Sequence, residues 1–170
     1  QRGLCAASGS HEVLADTDDL TPEAIVARCN GFDRWTVPAG ADRLTAFIDV
    51  QQKALFHVVC AWAGDFTGWV IDYGTWPDQQ RDYFTLRDLR STLAMATKGA
   101  GLEGAVCAGL EALSGHLVDR RWRREDGAEL ALDRVLIDAN WGQSTDVVYE
   151  FCRQSAHRAI LLPSHGRYVG

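Results

Sequence analysis

The stretch Leu44 to Gln52, LTAFIDVQQ, decides how the rest of the sequence is read. Leu44, Ala46, Ile48 and Val50 alternate with Thr45, Phe47, Asp49 and Gln51; the first set is wholly apolar and the second carries Phe47, and the run is read as a strand covered on both faces. One carboxylate, Asp49, stands at its far end. A buried carboxylate is costly without a counterpart, so an acid at the end of an interior strand takes a helix N-terminus, a lysine or a metal as partner.

Outward from this strand the elements follow in turn. Gln51 to Lys53 is a tight polar connection, Leu55 to Ala63 a second strand, Gly64-Asp65 a turn, and Thr67 to Tyr73 a third strand, which together predict an antiparallel meander closed by Trp76-Pro77-Asp78. Thr85 is expected to cap a helix running through Leu86, Leu89, Leu93 and Met95 to Gly99. Leu102, Val106, Leu110, Leu113 and Leu117 recur at helical spacing and predict a long amphipathic helix from about Leu102 to Trp122. A fourth strand, Leu130 to Ile137, again ends on a carboxylate, Asp138, in RVLIDANWG. A capped helix from about Asp146 to Ala156 and a short strand, Ala159 to Leu162, complete the order. Upstream, Thr21 and Pro22 open a short helix carrying Ile25 and Val26 to about Cys29, preceded by a loose, partly acidic lead-in over residues 1–20.

Three strands, helix, strand, helix, strand is a mixed α/β fold. A strand reached through a helical crossover usually lies parallel to an earlier one, so the strand ending at Asp138 is expected beside the strand ending at Asp49. Both carboxylates then emerge at one edge of the sheet, where ligands sit in such folds. Two acids there repel each other. Mg2+ or Mn2+ would relieve the repulsion and keep open positions for water and phosphate oxygens. Two such ions about 4 Å apart stabilise the attacking and leaving oxygens of a phosphodiester displacement.

Composition bounds the alternatives. The chain has 170 residues, 46% hydrophobic and 24% charged, enough for one domain with a real core. No apolar run approaches the ~20 residues of a membrane span. The start at Gln1 without an initiator Met or a basic-then-apolar leader is read as a piece of a longer polypeptide. Five widely spaced cysteines with no C-x-x-C pair indicate neither a disulfide framework nor a zinc site; Cys60, Cys107 and Cys152 are expected as small buried hydrophobes in a reducing compartment. The net charge of −6 argues against a generally basic nucleic-acid surface, yet Arg120, Arg121, Arg123 and Arg124 form one local basic patch around Trp122. On that reading they contact DNA phosphates; alternatively they are the solvated end of a helix.

The blocks LTAFIDVQQKALFHVVCAWAGDFTGWVIDYGTW, RVLIDANWGQSTDVVYEFC and AILLPSHGRYVG resemble the nuclease domain of the large terminase subunit of tailed phages, of the lambda-type (GpA) family. The resemblance covers roughly residues 37–170 and implies a ribonuclease H-like fold, residues 1–38 being a linker from an absent ATPase domain and 39–170 the nuclease. It implies a metal-dependent endonuclease that cuts concatemeric double-stranded DNA during packaging in the host cell cytoplasm, with Mg2+ or Mn2+ on Asp49 and Asp138. The ATPase domain of the full-length chain, the small terminase subunit and the portal are the implied partners. No G-x-x-x-x-G-K-[ST] occurs, so ATP hydrolysis is not expected of this segment. Relatives carry a third acidic ligand, for which Glu150 is what the chain offers after Asp146. A catalytically incomplete docking module of the packaging motor, and a resolvase- or transposase-like nuclease on the same fold, are the alternatives.

The remaining polar residues are read in that light. His165, in PSHGRY, is a catalytic candidate as ligand or proton shuttle on the expected active edge. Asn140 and Gln51, beside the two acids, either orient a water or phosphate or form turns. Asp72 is expected as a structural or solvated acid, His57 as a packed histidine, and Trp62, Trp69 and Trp76 as core or cross-strand packing.

Overall fold

The computed structural model describes residues 6–7, 21–27, 29 and 31–166. Its elements in chain order are β1 (Ala6–Ala7), α1 (Pro22–Ala27), β2 (Thr36–Val37), β3 (Arg43–Val50), β4 (Leu55–Trp62), β5 (Gly68–Trp76), α2 (Leu93–Ala96), α3 (Gly101–Asp119), β6 (Trp122–Arg124), β7 (Glu129–Leu130), β8 (Arg134–Asp138), α4 (Thr145–Gln154) and β9 (Leu161–Ser164). The acidic part of the lead-in falls outside the described residues. Thr21 does cap α1, its hydroxyl accepting the N–H of Ala24 at 3.2 Å.

Six strands form one sheet in the order β1-β5-β4-β3-β8-β9. β3, β4 and β5 pair antiparallel, while β8 pairs parallel to β3 and β9 parallel to β8. Leaving aside the two-residue edge strand β1, a meander continued past its first strand by two later parallel strands is the ribonuclease H-like arrangement. A second, three-stranded sheet joins β2, β6 and β7.

The core lies on one face of the large sheet. Leu44, Ala46, Ile48 and Val50 of β3 are 0–2% exposed and share a cluster with Val135 and Ile137 of β8, Leu110, Leu113 and Leu117 of α3, and Val148 and Phe151 of α4. Helix spacing puts the α3 leucines on one stripe, and their burial drives docking. The opposite set of β3 is more open: Phe47 is 37% exposed. The strand is therefore covered fully on one face only, which corrects the reading of LTAFIDVQQ as covered on both. Across the sheet Phe47 is in register with Val58, Tyr73 and Leu136, and Leu136 with Leu162, so a row of apolar side chains lies on that open face.

Gly109 marks the tightest helix-to-sheet approach. A Cβ there would stand 2.9 Å from Leu93 Cδ2 and 3.0 Å from the Trp76 ring. Gly109→Ala is expected to lower stability by about 1–2 kcal/mol, because overpacking of this kind outweighs the helix-propensity gain of alanine. A thermal melt a few degrees below the parent checks it.

Three expected elements differ. The helix foreseen from Thr85 is replaced by a folded loop, and only Leu93–Ala96 is helical, capped by Thr92. Thr85 instead donates its hydroxyl to Asp88 at 2.8 Å, a local turn that competes with helix. Gln79, 2% exposed, organises the loop: its amide donates to the carbonyls of Pro77 and Ser91 and its Oε1 accepts the N–H groups of Arg90 and Ser91. The long helix stops at Asp119, because Trp122 is fully buried as the anchor of β6. Leu130 likewise belongs to the separate strand β7, and the fourth sheet strand begins only at Arg134. Of the cysteines, Cys152 is buried, its thiol pushed up to about 11 by burial, whereas Cys107 is exposed, contrary to expectation.

Candidate active site at the carboxylate edge

β3 and β8 run in parallel with Ile48 opposite Ile137, so Asp49 and Asp138 follow directly after the last paired position on neighbouring strands. Neighbouring strands lie about 4.8 Å apart, and residues at equal positions in parallel strands point to the same face. Asp49 thus joins Phe47 on the open face, and Asp138 joins Leu136. The expectation that the two acids share one edge of the sheet matches this topology.

The hydrogen-bond partners of the two carboxylates are neutral. Asp49 accepts the Gln51 side-chain amide at 3.1 and 3.0 Å on its two oxygens, and Asp138 Oδ1 accepts the Asn140 backbone N–H at 3.0 Å. Neither acid is in an ion pair among the described residues. Two hard oxygen donors with no ion-pair partner among the described residues, at the open end of the sheet, are of a kind that fits a divalent cation. Gln51 and Asn140 therefore act here as partners of the acids: one holds the Asp49 carboxylate, the other closes the turn after Asp138.

His165 is gathered into the same edge. Its Nδ1 lies 3.3 Å from Asn140 Oδ1, Asn140 donates its side-chain amide to the Gly166 carbonyl at 3.3 Å, and the His165 ring sits 5.8 Å from that of Tyr149. β9, paired with β8 as far as Ser164 opposite Asp138, delivers the loop to this place.

Glu150 is not brought to the pair. It is exposed on α4, accepts the Gln154 amide at 2.7 Å and lines a cleft between α3 and α4 together with Glu103, Cys107 and Glu111. Among the described residues no group of three or more His, Cys, Asp and Glu side chains is placed to hold a metal ion.

The basic run lies at the other end of β3. Arg124 pairs with Asp126 at 2.7 Å and reaches the Ala41 carbonyl, and the hydrogen bonds from Arg124 lower the Asp126 carboxyl to about 2. Ala41 precedes Asp49 by eight residues, which in extended chain is about 26 Å. Arg120 caps α3 with its guanidinium 4.8 Å from the ring centres of both Trp35 and Trp122, while Arg121 and Arg123 are exposed. The run is thus part helix end and part strand, not one helical terminus.

Asp72 is an interior acid, 3% exposed, and not a solvated one. It accepts Arg34 Nε at 2.7 Å and Trp35 Nε1 at 3.0 Å, with His57 Nε2 at 3.4 Å. Burial pushes this carboxyl up, but the hydrogen bonds from His57 and Arg34 and the Arg34 charge outweigh it and leave it below the usual carboxylate range. The partners Arg34 and Trp35, far from Asp72 in sequence, carried no periodic signal by which the cluster could be foreseen.

A three-strand meander continued past its first strand by parallel strands, with carboxylates on adjacent strand ends, defines a ribonuclease H-like domain. Residues 14–168 match the family of the terminase large subunit gpA endonuclease domain, and the chain belongs to that family. A nuclease role in phage DNA packaging goes with that membership. No curated protein and no solved structure matches the chain. No helix among the described residues is long and apolar enough to cross a membrane.

Proposed function

We propose that this domain hydrolyses phosphodiester bonds of double-stranded DNA with Mg2+ or Mn2+ held by Asp49 and Asp138. The observation that carries the reading is the juxtaposition of two carboxylates, in no ion pair among the described residues, at the ends of neighbouring parallel strands. When bound, divalent ions supply a water nucleophile at neutral pH and charge stabilisation for the leaving oxygen. The chain's own part is to fix the donors. Gln51 restrains the Asp49 carboxylate, and the turn at Asn140 orients Asp138. His165, exposed and with Nδ1 3.3 Å from Asn140 Oδ1, is the proposed proton carrier between the site and solvent through its other ring nitrogen. The packaging motor's ATPase domain, small terminase subunit and portal are proposed partners on the family's account, and Arg121 and Arg123 a proposed distant contact to the duplex.

A docking module with a degenerate site is the second reading, favoured by the lack of a third acid beside the pair among the described residues. Calorimetric Mn2+ titration with plasmid nicking separates the two. The hydrolase reading expects Mn2+ binding and nicking in the parent chain, with both lost in Asp138→Ala. No Mn2+ binding at millimolar concentration, or binding indifferent to Asp138, would leave the docking module in its place.

A further inference from the structure

The segment between β5 and α2, residues 77–92, leaves the sheet at the edge that bears Asp49, because β5 runs parallel to β3 through two antiparallel steps. It is anchored to the sheet at its end and through one ring contact, and braced internally. The Leu93 N–H donates to the Lys53 carbonyl in the β3–β4 turn at 2.8 Å, Arg81 pairs with Asp88 at 3.3 Å, and Gln79 holds the backbone at Ser91 and Arg90. Phe84 stacks on Phe56 with ring centres 6.3 Å apart, and Phe56 is the cross-strand partner of Asp49. The loop therefore stands as a fixed wall beside one of the two acids.

What the wall exposes is unlike the rest of this acidic chain. Tyr83, next to the packed Phe84, is 91% exposed, so it contributes little to the fold. Lys53, Arg87 and Arg90 are exposed and in no ion pair among the described residues. Of the segment's three exposed acids, Asp88 pairs with Arg81 and accepts from Thr85, Asp78 accepts the Gln80 N–H, and Asp82 lies next to Tyr83, so Lys53, Arg87 and Arg90 are the cations left without an ion pair among the described residues. Unpaired cations with an exposed ring on a fixed loop are the elements of a phosphate-backbone contact with aromatic stacking.

We propose that residues 77–92 form the substrate wall of the site, gripping the DNA backbone beside Asp49 through Lys53, Arg87 and Arg90, with Tyr83 packing against the strand to position it. This rests on the reading of the domain as a DNA hydrolase. The arginines at the far end of β3 are then secondary to a grip next to the reacting edge.

The test is binding of a short fluorescent duplex to the full 170-residue chain in EDTA across a salt series, with thermal melts of each variant. For Arg87→Ala with Arg90→Ala, affinity is expected to fall at least about tenfold and the log–log salt slope by about 0.9 per lost contact, with an unchanged melt. Tyr83→Ala is expected to slow Mn2+-dependent nicking at least about tenfold with Mn2+ binding intact, and Tyr83→Phe to restore it. The exposed Arg153 on α4 serves as the charge-matched control and is expected to leave the slope alone. An unchanged slope in the Arg87/Arg90 variant, a change equal to that of Arg153→Ala, or a loss confined to Arg121 and Arg123 would overturn the wall. So would absence of duplex binding by the parent chain, and in that case Mn2+ binding at Asp49 and Asp138 still reports separately on the hydrolase site.

Discussion

Asp49→Asn is expected to abolish metal-dependent nicking, by at least about a thousandfold, equivalent to ~4 kcal/mol in the barrier. The substitution keeps the shape of the side chain and removes only the charge. On the proposed hydrolase reading a divalent cation on this edge would draw its affinity from two anionic oxygen donors on adjacent strand ends, and halving the charge would remove the main attraction. Without metal the melting temperature should stay level or rise slightly, since a like-charge repulsion with Asp138 disappears. That combination, lost Mn2+ binding with unreduced stability, separates a site residue from a structural one. Mn2+ binding by Asp49→Asn equal to the parent's would remove Asp49 from the site.

Asp72→Ala is expected to do the opposite, costing about 3–5 kcal/mol of stability, or roughly 10 °C in melting temperature. It leaves Arg34, Trp35 Nε1 and His57 without their shared acceptor in a place where Asp72 itself is 3% exposed. Asp72→Asn should cost less, because the acceptor oxygen persists. The pH dependence follows from the lowered carboxyl. A group whose folded value lies below its unfolded one, near ~3.9, stabilises above the unfolded value, and this contribution fades as pH falls through the folded value. The gap in melting temperature between parent and Asp72→Asn should therefore be full at neutral pH and close in strong acid. A gap independent of pH would mean that the carboxylate's charge contributes nothing there.

These two acids show how far the sequence could be read. Both end or interrupt apolar strands, and nothing in their neighbours along the chain separates them: FIDVQ and VIDYG look alike. The position of Asp49 at the same sheet edge as Asp138 is legible because its strand pattern recurs in RVLIDANWG and a parallel crossover brings the two strand ends together. The fate of Asp72 depended on Arg34 and Trp35, which approach from a segment 37 and 38 residues away. Likewise the helix foreseen from Thr85 gave way to a loop fixed by one buried glutamine, a set of side-chain to backbone bonds that periodicity does not encode.

By itself, the sequence determined the meander, the crossover helix, the parallel order of the later strands and hence the pairing of Asp49 with Asp138, because alternation, helical spacing and handed crossovers act over short range or through topology. Only the tertiary structure decided which face of β3 is open, that Glu150 turns to the α3–α4 cleft, that the arginine run lies at the far end of the sheet, and that residues 77–92 wall the carboxylate edge. Those outcomes rest on contacts between residues distant in the chain, whose energies are set by packing after the sheet has formed, and no local pattern carries them.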